Sequence, residues 1–180
     1  MRVVIASIIL LIAGVLAVSL VSKLRTRSGY TAFADALVAM GITTPRRAPQ
    51  VAALSVTAEL VVLATLVWPG GALPGLAAAT VLFAGFTAAL VVAVRRGSGA
   101  SCHCFGASDS PVAWRHVVRA AGLGALSAGG FGGTVVLPAA SLTGLGAAQA
   151  LIAVAVAGAG VAALVWLDDL AWLLRGSRSL

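Results

Sequence analysis

Runs of apolar residues, each long enough for one helix to cross a bilayer, make up most of the chain. A crossing needs about 20 predominantly apolar residues, and four runs are of this length: residues 3–21, 51–68, 73–94 and 142–166. A further run, from Pro111 to about Gly129, starts with polar residues and is predicted as the fourth of five spans in chain order. Residues 30–42 have helical spacing but are too short to cross, which predicts an interfacial or re-entrant helix between the first two spans.

Prolines and glycines mark several predicted helix boundaries. Ser110 and Pro111 form a favourable helix start, with the serine as N-cap and the proline in the first helical position. The glycine-rich residues 129–133 either end the fourth helix or allow another helix to pack very closely against it. Gly158 and Gly160, in the last span, also suit close helix packing.

The composition indicates an integral membrane protein. The chain of 180 residues is 61% hydrophobic and only 9% charged, which is too little charge for the surface of a soluble domain. We therefore predict an all-α membrane protein with a four-helix transmembrane bundle over residues 1–129. Residues 130–180 are predicted to add one transmembrane helix and a short tail. We interpret the first run as a retained span, because it is too long for a signal peptide and no cleavage site precedes Lys23.

Basic residues give the chain a net charge of +7, and they collect at the ends of the apolar runs. Because aromatic residues are not interleaved with them, this arrangement does not indicate a nucleic-acid surface. Basic residues favour the cytoplasmic side of membrane proteins, so we predict an outside N-terminus and a cytoplasmic C-terminus. The connection between the third and fourth spans, residues 97–110, then lies near the cytoplasmic face.

The only two cysteines of the chain, Cys102 and Cys104, flank His103 in this connection. In an extended chain their Cα atoms would be about 7 Å apart, at the edge of disulfide geometry. A disulfide there would be strained and easily reduced, which suits thiol exchange, and the nearby arginines and helix start would favour the thiolate. The alternatives are two ordinary reduced thiols, or a metal site that falls short of the four ligands of closed zinc sites. We predict neither a metal nor another cofactor.

Glu59 lies near the middle of the second span, where a carboxylate is costly and indicates a functional site. Its candidate partners are Lys23, Arg115 and Arg119, each near a helix end. Such a pair could hold the bundle together, or Glu59 could manage protons during thiol exchange. In a function of another class, a non-redox scaffold or small-molecule transporter, Glu59 and Arg119 would form the substrate site.

Four features of the chain are similar to those of a known family: Lys23, Glu59, the pair Arg96-Gly97, and the string Cys102-x-Cys104-Phe105-Gly106. Together they resemble the methylamine utilisation protein MauE family of bacterial membrane proteins, which is related to the DoxX-like four-helix bundles. The resemblance covers roughly Val3 to Leu126 and leaves the fifth span outside. Arg119 matches the arginine of an Arg-Asn pair in that family, but Ala120 replaces the asparagine.

The resemblance implies a thiol–disulfide redox protein of the bacterial plasma membrane. It would act with a thioredoxin-like partner, either as a maturation factor for the small subunit of methylamine dehydrogenase or as a general thiol-redox protein outside methylamine metabolism. Cys102 and Cys104 would be the redox pair and Glu59 its buried proton or charge partner. The supporting residues would be Lys23, Arg96, Gly97, His103, Phe105, Gly106 and Arg119. A maturation partner would act outside, whereas the charges place the cysteines near the cytoplasm, so either the bundle rearranges or the predicted topology is wrong.

Overall fold

The computed structural model describes residues 2–97, 113–136 and 146–176, which form six α-helices. In chain order they are α1 (Arg2–Leu24), α2 (Arg27–Ala39), α3 (Ala48–Val67), α4 (Ala72–Arg95), α5 (Trp114–Val136) and α6 (Ala147–Gly176). The helices α1, α3, α4, α5 and α6 correspond to the five predicted spans, and α2 corresponds to the predicted interfacial or re-entrant helix. The all-α class predicted from the sequence is confirmed.

Four of these helices are long and apolar enough to cross a membrane. They are α1, α3, α4 and the part of α6 from Ala147 to Leu164. Helix α5 is as long as α1, but two arginines and several glycines make it less apolar. The protein is therefore an all-α, multi-pass membrane protein, in which α5 is the least lipid-like of the long helices.

Helix α1 is the centre of the bundle and contacts each of the other five helices. Its residues Ile9 and Leu16 belong to a buried cluster that also contains Phe83 of α4 and Leu123 of α5. A second cluster joins α2 to the first turns of α3, the last turns of α4 and the first turns of α5. Because α4 ends where α5 begins, these two helices run antiparallel, and their contact is the most extensive in the bundle.

The glycine-rich residues of α5 lie inside the helix, which continues to Val136. A Cβ atom on Gly130 would lie 3.1 Å from Ile8 Cγ2, and one on Gly133 would lie 3.1 Å from Ile5 Cδ1. Of the two alternatives predicted for these glycines, close packing is therefore the one observed. The predicted helix end at about Gly129 is wrong, because the contact with α1 holds the glycines in helical conformation.

Helix α6 packs against α1 through one of its two predicted glycines. A Cβ atom on Gly160 would lie 2.5 Å from Leu11 Cδ1, whereas one on Gly158 would meet nothing within 4 Å. On the α1 side, a Cβ atom on Gly14 would lie 2.8 Å from Val161 Cγ2. The prediction of close packing is thus confirmed at Gly160 and wrong at Gly158, where an added Cβ atom would lie in open space.

Helix α2 is a short helix whose first turn is held by specific hydrogen bonds. Thr26 is its N-cap, and the threonine Oγ1 accepts a hydrogen bond from the Gly29 N–H at 3.1 Å. The Tyr30 hydroxyl donates to the Pro49 carbonyl at 2.6 Å, which joins α2 to the first turn of α3. Proline is tolerated in that turn because its missing N–H has no partner in the helix. These contacts hold the buried face of α2 against the bundle.

Candidate functional site

The helix arrangement brings most of the basic residues to one end of the bundle. At this end, which we call the basic end, α1 and α4 finish, α3 and α5 begin, and α2 packs across them. Its exposed arginines are Arg25, Arg27, Arg46, Arg47, Arg95 and Arg96. The polar residues that the sequence singles out in separate helices therefore lie in one part of the molecule.

Lys23 and Glu59 form a buried ion pair between α1 and α3. The Lys23 ammonium donates to Glu59 Oε1, and the Ser19 hydroxyl donates to Glu59 Oε2 at 3.1 Å. Ser19 and Lys23 are four residues apart and so share one face of α1. The Glu59 side chain is 0% exposed and the Lys23 side chain 2% exposed. Both carboxylate oxygens of Glu59 therefore accept a hydrogen bond. Of the three partners predicted for Glu59, Lys23 is the one whose contact with it the structure describes.

Two aromatic rings complete the surroundings of the Lys23 ammonium. The Lys23 Nζ atom lies 4.3 Å from the centroid of the Phe33 ring and 5.7 Å from that of Phe86. Both distances are within the range of cation–π attraction. Phe33 comes from α2 and Phe86 from α4, so side chains of four helices meet at this point. Residues that the sequence reasoning missed are Ser19, Phe33 and Phe86, and only the four-residue spacing of Ser19 and Lys23 could have indicated one of them.

A cavity of about 170 Å³ lies beside the ion pair and is partly open at the surface of the bundle. Its walls are mostly apolar, and their polar residues are Ser19, Lys23 and Ser55. Glu59 is not part of the wall. The remaining lining residues are Phe33, Leu37, Met40, Ile42, Val51, Phe83, Phe86, Ala89, Leu90 and Ala120. The cavity is therefore lined by the lysine of the ion pair and not by its glutamate.

The first turn of α5 places further polar side chains at the basic end. His116 is buried, and its Nδ1 atom accepts a hydrogen bond from the Ala113 N–H at 3.1 Å, which caps the start of α5. Arg115 and Arg119 are half-buried on the same helix. Arg119 directly precedes Ala120, which lines the cavity. The costly polar start of this helix is thus partly covered by the protein, with His116 buried and the two arginines half-buried.

Arg96 and Gly97 end α4 and connect it to the loop after α2. Gly97 has a φ of +61°, in the left-handed region that ends many helices, and its N–H donates to the Val94 carbonyl at 3.1 Å. The Arg96 Nη1 atom donates to the carbonyl of Gly41 at 3.1 Å. Gly41 itself has a φ of +70°, and a Cβ atom there would lie 2.9 Å from Arg96 Nη1. These contacts therefore join the end of α4 to the loop after α2 at the basic end.

The predicted redox segment lies outside the described residues. It carries Cys102, His103, Cys104, Phe105 and Gly106. In the chain it joins the end of α4 to the start of α5, and both of these belong to the basic end. Within the described ranges, no group of His, Cys, Asp and Glu residues has the composition of a metal site.

The described helices include four of spanning length, and a lysine–glutamate pair is buried among the helices. These two features define the class of the protein, which is an all-α membrane protein with a polar site inside its bundle. The particular family follows from comparison. The chain belongs to the methylamine utilisation protein MauE family, whose model matches residues 1–133. The match ends inside α5, so α6 lies outside it, as the resemblance in the sequence predicts. No curated protein and no solved structure matches the chain significantly.

Proposed function

We propose that the protein is a membrane thiol–disulfide exchange protein in which Cys102 and Cys104 are the redox pair. Its family and its membrane helices fit a membrane protein in methylamine utilisation. The observation that carries the proposal is the buried pair of Lys23 and Glu59, located at the end of the bundle where the cysteine segment begins and ends. Ionisable residues inside a membrane bundle are costly, and they mark sites of proton or charge chemistry.

The proposed reaction is an exchange, so it needs no other oxidant or reductant. A thiolate of the pair attacks one sulfur of the partner's disulfide and forms a mixed disulfide, and the other sulfur leaves as a thiolate. The second cysteine then attacks the mixed disulfide. The pair becomes oxidised and the partner reduced, and the reverse sequence oxidises the partner. A thioredoxin-like protein is the proposed partner, and methylamine dehydrogenase is the proposed protein whose maturation depends on the exchange.

Glu59 is proposed to be the proton or charge partner of this chemistry. Each attacking thiol must lose a proton to become nucleophilic, and a buried carboxylate can take up a proton from a nearby group. The enclosure of Glu59 counts against the alternative of a substrate site with Arg119, because the Glu59 side chain is 0% exposed and is not part of the cavity wall. A substrate would reach this carboxylate only after a rearrangement of the bundle.

The charge distribution supports an orientation with the N-terminus outside and the C-terminus in the cytoplasm. The exposed arginines of the basic end then face the cytoplasm, as the positive-inside tendency requires. Modification of cysteines placed at the two ends of the bundle with a reagent that does not cross membranes tests this orientation. Reaction of the basic-end cysteines from the periplasmic side would reverse it.

Alkylation of the two thiols in native membranes tests the proposed function. We expect Cys102 and Cys104 to form a disulfide, internal or mixed, after oxidation and to react with the alkylating reagent after reduction. A pair that stays reduced under every oxidant would contradict the proposal. Glu59→Gln tests the carboxylate: we expect it to assemble but to exchange thiols slowly, while the matched variant Asp35→Asn, exposed on α2, exchanges normally. An assembled Glu59→Gln protein with a normal exchange rate would remove Glu59 from the chemistry.

A further inference from the structure

The hydroxyl of Ser55 differs from most other hydroxyls in the described helices. A serine or threonine in a helix often donates to the carbonyl one turn earlier, and eight described residues do so: Ser7, Ser22, Thr31, Thr65, Thr80, Thr87, Ser127 and Thr134. The Ser55 Oγ atom is buried and has no hydrogen-bond partner among the described residues. Ser55 is one of the residues that line the cavity beside Lys23. A buried hydroxyl without a partner costs about 1–3 kcal/mol, so it is expected to have one there.

The polar part of the cavity wall offers hydrogen-bond donors and no carboxylate. Two of its polar lining residues are Lys23, which carries an ammonium group, and Ser55, which carries a hydroxyl without a described partner. The Ser19 hydroxyl is already donating to Glu59, which lies behind the wall. A cationic ligand would find no carboxylate in the wall, and an anionic ligand would gain little, because the Lys23 charge is already paired with Glu59. The wall therefore favours a neutral ligand with oxygen acceptors.

The size and the apolar lining of the cavity limit the body of such a ligand. An engineered apolar cavity of about 150 Å³ holds one benzene molecule, so the 170 Å³ here accommodates a single substituted six-membered ring. Three phenylalanines, Phe33, Phe83 and Phe86, are in the wall. Flat rings pack well against such side chains. The cavity is partly open, and it belongs to a bundle of membrane-spanning helices, so a lipid-soluble ligand has access to it.

We propose that this cavity binds a single-ring, lipid-soluble quinone. Its ring lies among the phenylalanines, and its carbonyl oxygens accept hydrogen bonds from Ser55 and Lys23. If the proposed thiol chemistry holds, the same ligand supplies an oxidant for the cysteine pair. The two thiols lose two electrons and two protons and form a disulfide, and the quinone takes them up as its two carbonyls become hydroxyls. This consequence rests on the proposed function, whereas the binding itself does not.

Binding to the full-length protein in lipid nanodiscs, measured by equilibrium dialysis against empty nanodiscs, tests the proposal. The protein carries Cys102→Ser and Cys104→Ser, so that no thiol reacts with the probe. The probe is methyl-1,4-benzoquinone, and the comparison molecule is toluene, which has the same ring and methyl group without the carbonyls. We expect saturable binding of one quinone per chain and binding of the hydrocarbon that is weaker by about tenfold, the value of one or two hydrogen bonds.

Two pairs of variants locate the binding. Ser55→Ala is expected to weaken quinone binding by about fivefold, while Ser7→Ala, whose hydroxyl is already bonded to Val3 O, leaves it unchanged. Ala120→Leu fills the cavity and is expected to abolish binding, while the neighbouring exposed Ala121→Leu leaves it unchanged. Ser55→Ala removes one oxygen and creates no clash, so it stays informative if Ala120→Leu fails to fold.

Three results would overturn the proposal: no saturable binding of the quinone, equal binding of the hydrocarbon, or undiminished binding to Ser55→Ala. Because the protein in this experiment has no cysteine, its outcome is independent of thiol exchange. Failure of quinone binding leaves the exchange function to its own alkylation test. Conversely, a cysteine pair that never forms a disulfide would leave a quinone site without a redox role.

Discussion

Removing the charge of Glu59 should destabilise the protein strongly, because it leaves the Lys23 ammonium buried without its counter-ion. In Glu59→Gln the amide keeps the size of the side chain but removes the charge. For an ion pair at a normal hydrogen-bond distance of about 2.8 Å, an effective dielectric constant of about 20 gives a gross attraction of about 6 kcal/mol. Desolvation offsets part of this. Loss of one partner of a buried pair typically costs about 3–5 kcal/mol, and with side chains 0% and 2% exposed the pair belongs to this buried class.

We expect about 3 kcal/mol for Glu59→Gln, at the low end of that range. Lys23 lies in the last turn of α1, so its long side chain can partly reach the interface when the carboxylate is lost. In a chain of this size, 3 kcal/mol corresponds to a fall in the unfolding midpoint of about 10 °C. Thermal unfolding in a mild detergent, followed by circular dichroism, measures this shift. Ser19→Ala removes only the second donor of Glu59 and should cost about 1.5 kcal/mol.

A double variant separates the ion pair from the packing of its two side chains. Lys23→Met combined with Glu59→Gln removes both charges and should be more stable than either single variant, because no unpaired charge remains in the bundle. The resulting coupling energy is expected to be about 2–3 kcal/mol. If the two substitutions simply add, the two residues do not act as a pair, and the interpretation of the site is wrong.

Two further predictions concern packing around the site and along α1. Phe33→Leu should lower the stability by about 2 kcal/mol, and Phe86→Leu should lower it by less, because the Phe33 ring is closer to the Lys23 ammonium. The same thermal assay measures both variants. If the difference between them persists when Lys23 is replaced by methionine, the cation–π explanation is wrong. Gly160→Leu should lower the free energy of unfolding by about 1–3 kcal/mol through overpacking against α1, whereas Gly158→Leu should leave it nearly unchanged. Chemical denaturation measures both variants, and equal effects would refute the described packing of α6 on α1.

The class of the protein and most of its helices could be predicted from the sequence, because they depend on local composition. Apolar runs of spanning length predict α1, α3 and α4 with bounds close to those observed. The end of α5 could not be predicted in this way. Glycines at 130 and 133 read equally well as a helix end or as a packing surface, and only the approach of Ile8 and Ile5 from α1 decides between them.

The partner of Glu59 illustrates the same limit in the candidate site. Three cations near helix ends were equally acceptable in the sequence, since each could reach inward. The contact with Lys23 depends on the relative rotation of α1 and α3, two helices whose paired residues are 36 apart in the chain. Phe86 is still more distant from Lys23 in the sequence. No sequence pattern marks it, because a phenylalanine in an apolar helix is commonly a buried core residue. Such residues become part of a site only through packing.

Stability alone does not explain the pair of Lys23 and Glu59. Replacing a buried ion pair by well-packed apolar side chains is often neutral or stabilising, and such side chains are abundant in the surrounding helices. The arrangement is also asymmetric: the carboxylate is enclosed and bonded through both oxygens, whereas the ammonium forms part of a cavity wall. Glu59 therefore holds a positive charge at a defined position facing the cavity. A charge at this position would suit the proposed ligand with oxygen acceptors, and binding of that ligand would give the bundle a reason to retain the two charges.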